Sequence, residues 1–226
     1  MATEWATVMM GDVVDSRADA PDAAEYLDNL RRRWNEEVDG RIADFSFTQG
    51  DELQGLLAPT EDPFRLILDA GLTPRSGPSA YPRLRWSVVH GLVDIGLGSA
   101  TRRTGTAFVR ARSALQGARD TGDLLSVVTG SATWDTLLQS IAPVWLDLIE
   151  AMTDRQRFIS RLSMLDGYRQ SEIADLIGVS RPTVSVALQR AGTRDVERLL
   201  LALRVCWEHG QAEGGAAAET DEPDRE

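Results

Sequence analysis

Apolar positions change their spacing several times along this chain, and each change marks an element. Trp5 to Met10 is a short apolar run of strand length, followed by the polar segment Gly11-Asp12-Val13-Val14-Asp15-Ser16-Arg17. From Ala23 onward Ala24, Leu27, Leu30, Trp34 and Val38 recur every three or four residues, which predicts a helix with one buried face. Phe45 and Phe47 alternate with polar neighbours, Gln49-Gly50-Asp51 reads as a hairpin turn, and Leu53 to Leu57 forms the returning strand. Asp62 to Gly71 predicts a short helix with Asp62 as N-cap and Pro63 in the first turn. After a Pro, Gly and Ser loop over 73–82, Leu84 to Val93 is the clearest strand of the chain.

The order strand, helix, hairpin, helix, strand is that of a split βαβ, ferredoxin-like arrangement. The pattern then continues with a Gly-rich loop over 96–99, a helix over about 105–119, a strand Leu124–Val128, and a helix Trp134–Ala151 interrupted at Pro143. From Thr153 the period is helical throughout, opening on the capping-box pair Thr153 and Gln156. Helices are predicted over about 154–165, 170–177, 181–190 and 193–207. The fold class is therefore α+β: a ferredoxin-like domain over 1–132, a connecting helix over 133–152 and an all-α domain over 153–207. The Ala-, Gly-, Glu- and Asp-rich segment 208–226 is expected to be a disordered acidic tail.

Within the all-α part, Glu172 to Ser185 has the anatomy of a helix-turn-helix. Ala174 is small where two helices meet, Gly178 suits a left-handed stop, Val179 plugs the core and Ser180 caps the second helix. Ile173, Ile177, Val184 and Leu188 close that core. Arg169, Gln170, Ser180, Arg181, Thr183, Ser185, Gln189 and Arg190 are then the candidates for contacts to bases and phosphates. The segment 153–191 resembles region 4 of sigma factors and the LuxR-type output domain. Arg169 stands where that pattern usually has a Ser or Thr cap. A three-helix bundle used only for protein contact is the competing reading.

Charge adds to this picture by its distribution. The 226 residues carry a net charge of −11, which argues against a protein that coats nucleic acid by bulk electrostatics. Residues 153–207 nevertheless hold nine Arg against six acids, a local +3, so useful DNA affinity is expected to need a homodimer. No window approaches the length of a membrane helix and no secretory signal opens the sequence, so a cytoplasmic location without membrane contact is expected. One cysteine, Cys206, and two histidines, His90 and His209, exclude an internal disulfide and a structural zinc centre. Any metal would be held by carboxylates.

Asp12, at the end of the first strand, and Asp51, at the hairpin, sit where a ferredoxin-like sheet brings two carboxylates together, the usual way of presenting Mg²⁺ to phosphate oxygens. The surrounding residues Asp12-Val13-Val14-Asp15-Ser16-Arg17 and Gln49-Gly50-Asp51-Glu52-Leu53-Gln54 resemble the two metal segments of class III nucleotide cyclases. Arg103 to Arg112 is similar to the cyclase helix whose Arg meets the triphosphate. The resemblance implies Asp12, the Val13 carbonyl and Asp51 as ligands of Mg²⁺ or Mn²⁺. It implies Asp15, Ser16, Arg17, Arg103, Gly105 and Arg112 as contacts to a nucleotide triphosphate.

Phe108 stands where cyclases carry the ribose-orienting Asn, and a phenyl ring makes no hydrogen bonds, which counts against cyclisation. Over residues 6–205 the chain also resembles the SatD family, a cyclase-like domain joined to a DNA-binding one. The expected function is a transcriptional regulator whose N-terminal domain senses a nucleotide. The alternatives are an active cyclase or nucleotidyl-transferring enzyme with a DNA-binding module, and a degenerate cyclase-like dimerisation scaffold.

Overall fold

The computed structural model describes residues 2–14, 20–48, 52–73, 83–96 and 98–220. Strand β1 (Thr3–Val13) is longer than its apolar run and buries successive residues on opposite faces: Val8 and Met10 on one, Met9 and Val13 on the other. A strand covered on both sides belongs in the middle of a sheet. With β2 (Arg41–Phe47), β3 (Leu53–Leu57), β4 (Leu84–Asp94) and β5 (Leu125–Val128), the order is β2-β3-β1-β4-β5. In the first four strands each neighbouring pair is antiparallel, in the predicted ferredoxin-like order; β5 adds parallel to β4 at the edge.

One face of the sheet is covered by α1 (Ala20–Glu37), α2 (Pro63–Leu72) and α4 (Ala132–Glu150). Leu27, Leu30 and Trp34 supply the predicted buried stripe of α1, and Trp34 meets Phe45 and Trp86 at tilted ring geometries. Asp62 caps α2 through the Phe64 and Arg65 amides, with Pro63 in the first turn, as its sequence predicts. The other face is covered by α3 (Thr106–Thr121), through Ala107, Phe108, Ala111 and Leu115.

Helix α4 runs through Pro143 without a break, because Leu138, Ala142, Trp145, Leu146 and Ile149 are all held in the core. The helix expected as the connection between domains is also a core element, with Trp145 and Ile149 buried. Helices α5 (Asp154–Met164), α6 (Gln170–Ile177) and α7 (Arg181–Arg190) follow at the predicted positions, around a core of Ile159, Leu162, Ile173, Ala174, Val184 and Leu188.

The last helix, α8 (Thr193–Thr220), corrects the expectation of a disordered tail from 208; of that segment, residues 221–226 lie outside the described residues. The reason is a close approach. A Cβ on Gly214 would lie 2.4 Å from the Thr129 carbonyl oxygen, and one on Gly210 would lie 2.6 Å from Thr129 Oγ1, so these glycines let the helix backbone lie directly on the turn after β5. Ser131 Oγ donates to Glu213 (2.9 Å), Gln211 Nε2 reaches the Pro59 carbonyl (3.2 Å), and His209 stacks on Trp134. Among the described residues no helix is long and apolar enough to cross a membrane.

Candidate functional site

The helix-turn-helix is built as its residues require. Gly178 takes the left-handed conformation at φ 67° and ends α6, its N–H donating to the Ala174 carbonyl. Ser180 then caps α7, its hydroxyl accepting from the Thr183 amide at 3.4 Å. At the start of α6 the unfavourable Arg169 is compensated, since its backbone N–H donates to the Glu172 carboxylate at 2.6 Å.

Arg169, Ser180, Arg181, Thr183, Ser185, Gln189 and Arg190 are all exposed, and Gln170 is half-buried. Arg181, Ser185 and Gln189 follow one another at four-residue intervals along α7, a row of hydrogen-bonding side chains on one side of the helix. The hydroxyls of Ser180 and Thr183 lie 2.8 Å apart and serve the cap. Beside α7, Thr153, Arg155 and Gln156 from the first turn of α5 and Pro182, Val186 and Arg190 line one open groove. Arg155 is a candidate contact the sequence pattern did not single out; its place in the first turn of a helix beside the motif was the available signal.

Three of the nine arginines of this region bond to α2 or its N-cap: Arg157, Arg161 and Arg204, the last through its Nε to Asp62 Oδ2 at 2.7 Å. Arg157 is buried and donates to the Met152 carbonyl (3.1 Å), the Glu150 carbonyl (2.9 Å) and the Gly71 carbonyl at the end of α2. Arg161 Nη1 donates to Asp69 Oδ1 at 2.6 Å. The same Asp69 carboxylate accepts from Trp34 Nε1 (2.9 Å) and from Arg33. Helix α2 thereby holds α1 on one side and α5 on the other.

In the sheet unit the expected constellation is only partly assembled. Asp12 pairs in register with Arg85 at one end of β4, whereas Thr3 pairs with Asp94 at the other. Gly105 packs against the Val93 backbone, 2.7 Å from where its Cβ would be, and Arg103 lies against Gly96. Nine residues of strand, about 30 Å, separate the two ends. Arg103 and Gly105 are therefore not brought to Asp12, because the loop after β4 leaves from the opposite edge. Arg112 is exposed on α3, 4.0 Å from Glu52 at the foot of the hairpin. Asp15, Ser16, Arg17 and Asp51 lie outside the described residues. Phe108 is buried against the sheet.

Asp12 itself is buried and receives Arg119 Nε on Oδ2 at 2.7 Å, with Arg85 Nη1 3.9 Å from Oδ1. Two guanidiniums thus compensate the carboxylate. A divalent cation at Asp12 would compete with Arg119 for the carboxylate, and Asp51, the other carboxylate expected to hold it, lies outside the described residues. Among the described residues no three His, Cys, Asp or Glu side chains cluster as metal ligands.

His90, on the other face, stacks on Trp5 with centroids 4.9 Å apart, meets Trp207 edge-on and has Nδ1 3.2 Å from Gln211 Nε2. Burial, reinforced by the Arg110 charge, lowers its pKa to about 4, so it is neutral at neutral pH. Cys206 is buried, and desolvation raises its thiol pKa.

Residues 144–192 match the family described as Sigma-70, region 4, from the second half of α4 to the end of the α7–α8 turn. No curated protein matches the sequence. Among solved structures, the chain is similar to a bacterial light-regulated adenylyl cyclase, at 14% identity over 56% of this chain and 77% of that one, with a TM-score of 0.42. It is also similar to a regulator of polyketide synthase expression from Bifidobacterium adolescentis, at 14% identity over 90% of this chain and 81% of that one, with a TM-score of 0.31. The chain carries a Sigma-70 region 4 helix-turn-helix domain, joined to a five-stranded α+β unit, and this domain supports DNA as a partner.

Proposed function

We propose that this protein is a transcriptional regulator that binds DNA through α7, acts as a homodimer and responds to an anionic effector on its sheet unit. The observation that carries the DNA reading is the exposed row Arg181, Ser185 and Gln189 on a helix capped and cored as a recognition helix. Selection of genomic fragments by the full chain tests it. The wild type is expected to enrich a defined sequence, and Arg181→Ala with Arg190→Ala to lose at least about tenfold in affinity for it while keeping its thermal midpoint. Equal retention of the same fragments by the variant overturns the assignment of α7.

A specific observation favours an anion at one end of the sheet unit, and the anion we propose is a nucleotide phosphate. Arg103 Nε and Nη1 are shielded from solvent and have no hydrogen-bond acceptor among the described residues, an arrangement that an anion would stabilise. Because a single nucleotide does not span about 30 Å of strand, the effector we propose meets the Arg103 and Gly105 end of α3. This reading also supports the SatD-like combination of a ligand-responsive unit with a DNA-binding one. A nucleotide that raises the unfolding midpoint of the wild type without Mg²⁺, but not that of Arg103→Gln, is the expected result. An equal rise in both proteins removes Arg103 from the reading.

A further inference from the structure

The side of α8 opposite the core carries an apolar stripe that nothing in the chain covers among the described residues. Leu201 is 63% exposed and Val205 43%, while Leu137 and Val144 on the adjoining α4 are 43% and 52% exposed. The first turn of α4 lies beside the C-terminal half of α8, where Trp134 stacks on His209, so the two helices present these side chains together. Single exposed apolar residues are ordinary; four on two packed helices make a patch of the kind that marks an interface.

We propose that this α4–α8 face docks against the same face of a second copy of the chain, with the two α8 helices antiparallel about a two-fold axis near position 203. Charge complementarity identifies the occupant. Arg198, Leu201, Val205 and Glu208 follow one another at three-, four- and three-residue steps and share one stripe of the helix. In an antiparallel pair centred at 203, Leu201 of each copy faces Val205 of the other, and Arg198 of each faces Glu208 of the other. A parallel pair would set Arg198 against Arg198 and Glu208 against Glu208. The stripe is therefore complementary to itself in one orientation, which is the condition a two-fold interface imposes. Its centre is apolar and its ends are charged, the usual distribution of an interface. Arg198 makes an exposed pairing with Asp195 at 3.3 Å, which an intermolecular pair can replace at little cost.

This inference names the surface of the homodimer proposed above, and its test separates the two. Sedimentation of the full chain from about 1 to 100 µM is expected to show a reversible dimer. Leu201→Glu is expected to give a monomer with an unchanged circular dichroism spectrum. Arg198→Glu is expected to weaken the dimer about fivefold, and Arg198→Glu with Glu208→Arg to restore it. A wild-type monomer throughout that range overturns both the dimer and its surface, while leaving the DNA reading of α7 intact. A dimer unchanged in Leu201→Glu overturns this surface alone, and a double reversal that fails to restore association overturns the antiparallel register.

Discussion

Arg161 Nη1 lies 2.6 Å from Oδ1 of Asp69, joining α5, the helix that precedes the helix-turn-helix, to α2 of the sheet unit. The other oxygen of Asp69 holds Trp34 and Arg33, so one carboxylate positions three helices. In Asp69→Asn both guanidiniums lose their counter-charge in a half-buried setting, and a loss of about 2–4 kcal/mol is expected. Urea unfolding followed by tryptophan fluorescence measures it. A loss below about 0.5 kcal/mol would show that the cluster behaves as a surface ion pair.

The Asp12 pairing makes a prediction about magnesium. With Arg119 on the carboxylate, the unfolding midpoint is expected to be the same with and without millimolar Mg²⁺, and Asp12→Asn to lower it in both conditions. A Mg²⁺-dependent rise that disappears in Asp12→Asn would show instead that the cation takes the place of Arg119.

His90 sets a pH dependence. Its folded pKa of about 4 lies below the ordinary 6.5, so the unfolded chain binds the extra proton between these values. The stabilisation is complete above about pH 6.5 and is lost as pH falls toward 4. The difference in denaturation midpoint between the wild type and His90→Gln is expected to shrink over that window; a constant difference would show that His90 does not titrate differently on folding.

The glycines of α8 can be tested by size. Gly214→Leu puts side-chain atoms into the Thr129 backbone and is expected to release the end of the helix, costing about 1–3 kcal/mol. Limited proteolysis should then cut between 208 and 220 in the variant and not in the wild type. An uncut variant would mean that the helix shifts without undocking.

Much of this was legible in the sequence, for identifiable reasons. The period of Leu27, Leu30 and Trp34, the Asp62 cap and the Gly178-Val179-Ser180 turn are local signals, and local signals place elements. What stayed hidden is long-range. In sequence Arg157 is one of nine arginines of residues 153–207, and it is the approach of Gly71 and Glu150 that makes it a buried clamp. The Ala- and Gly-rich composition after 207 reads as disorder because the partner that rewards small residues, the Thr129 turn, is about 80 residues earlier in the chain. The Asp12 constellation was divided because motif spacing says nothing about which end of β4 its following loop leaves from.

Helix α8 begins beside α5, where Thr193 meets Ser160, and ends on the turn after β5. Val196, Leu200, Leu203 and Trp207 along it lie in the same apolar cluster as Trp34, Phe64 and Trp145. The two architectural units consequently form one thermodynamic unit: a calorimetric scan should give a single endotherm whose van't Hoff and calorimetric enthalpies agree. A fragment starting at 153 would expose that row of side chains to water, and should be recovered as aggregates rather than as a separable DNA-binding module.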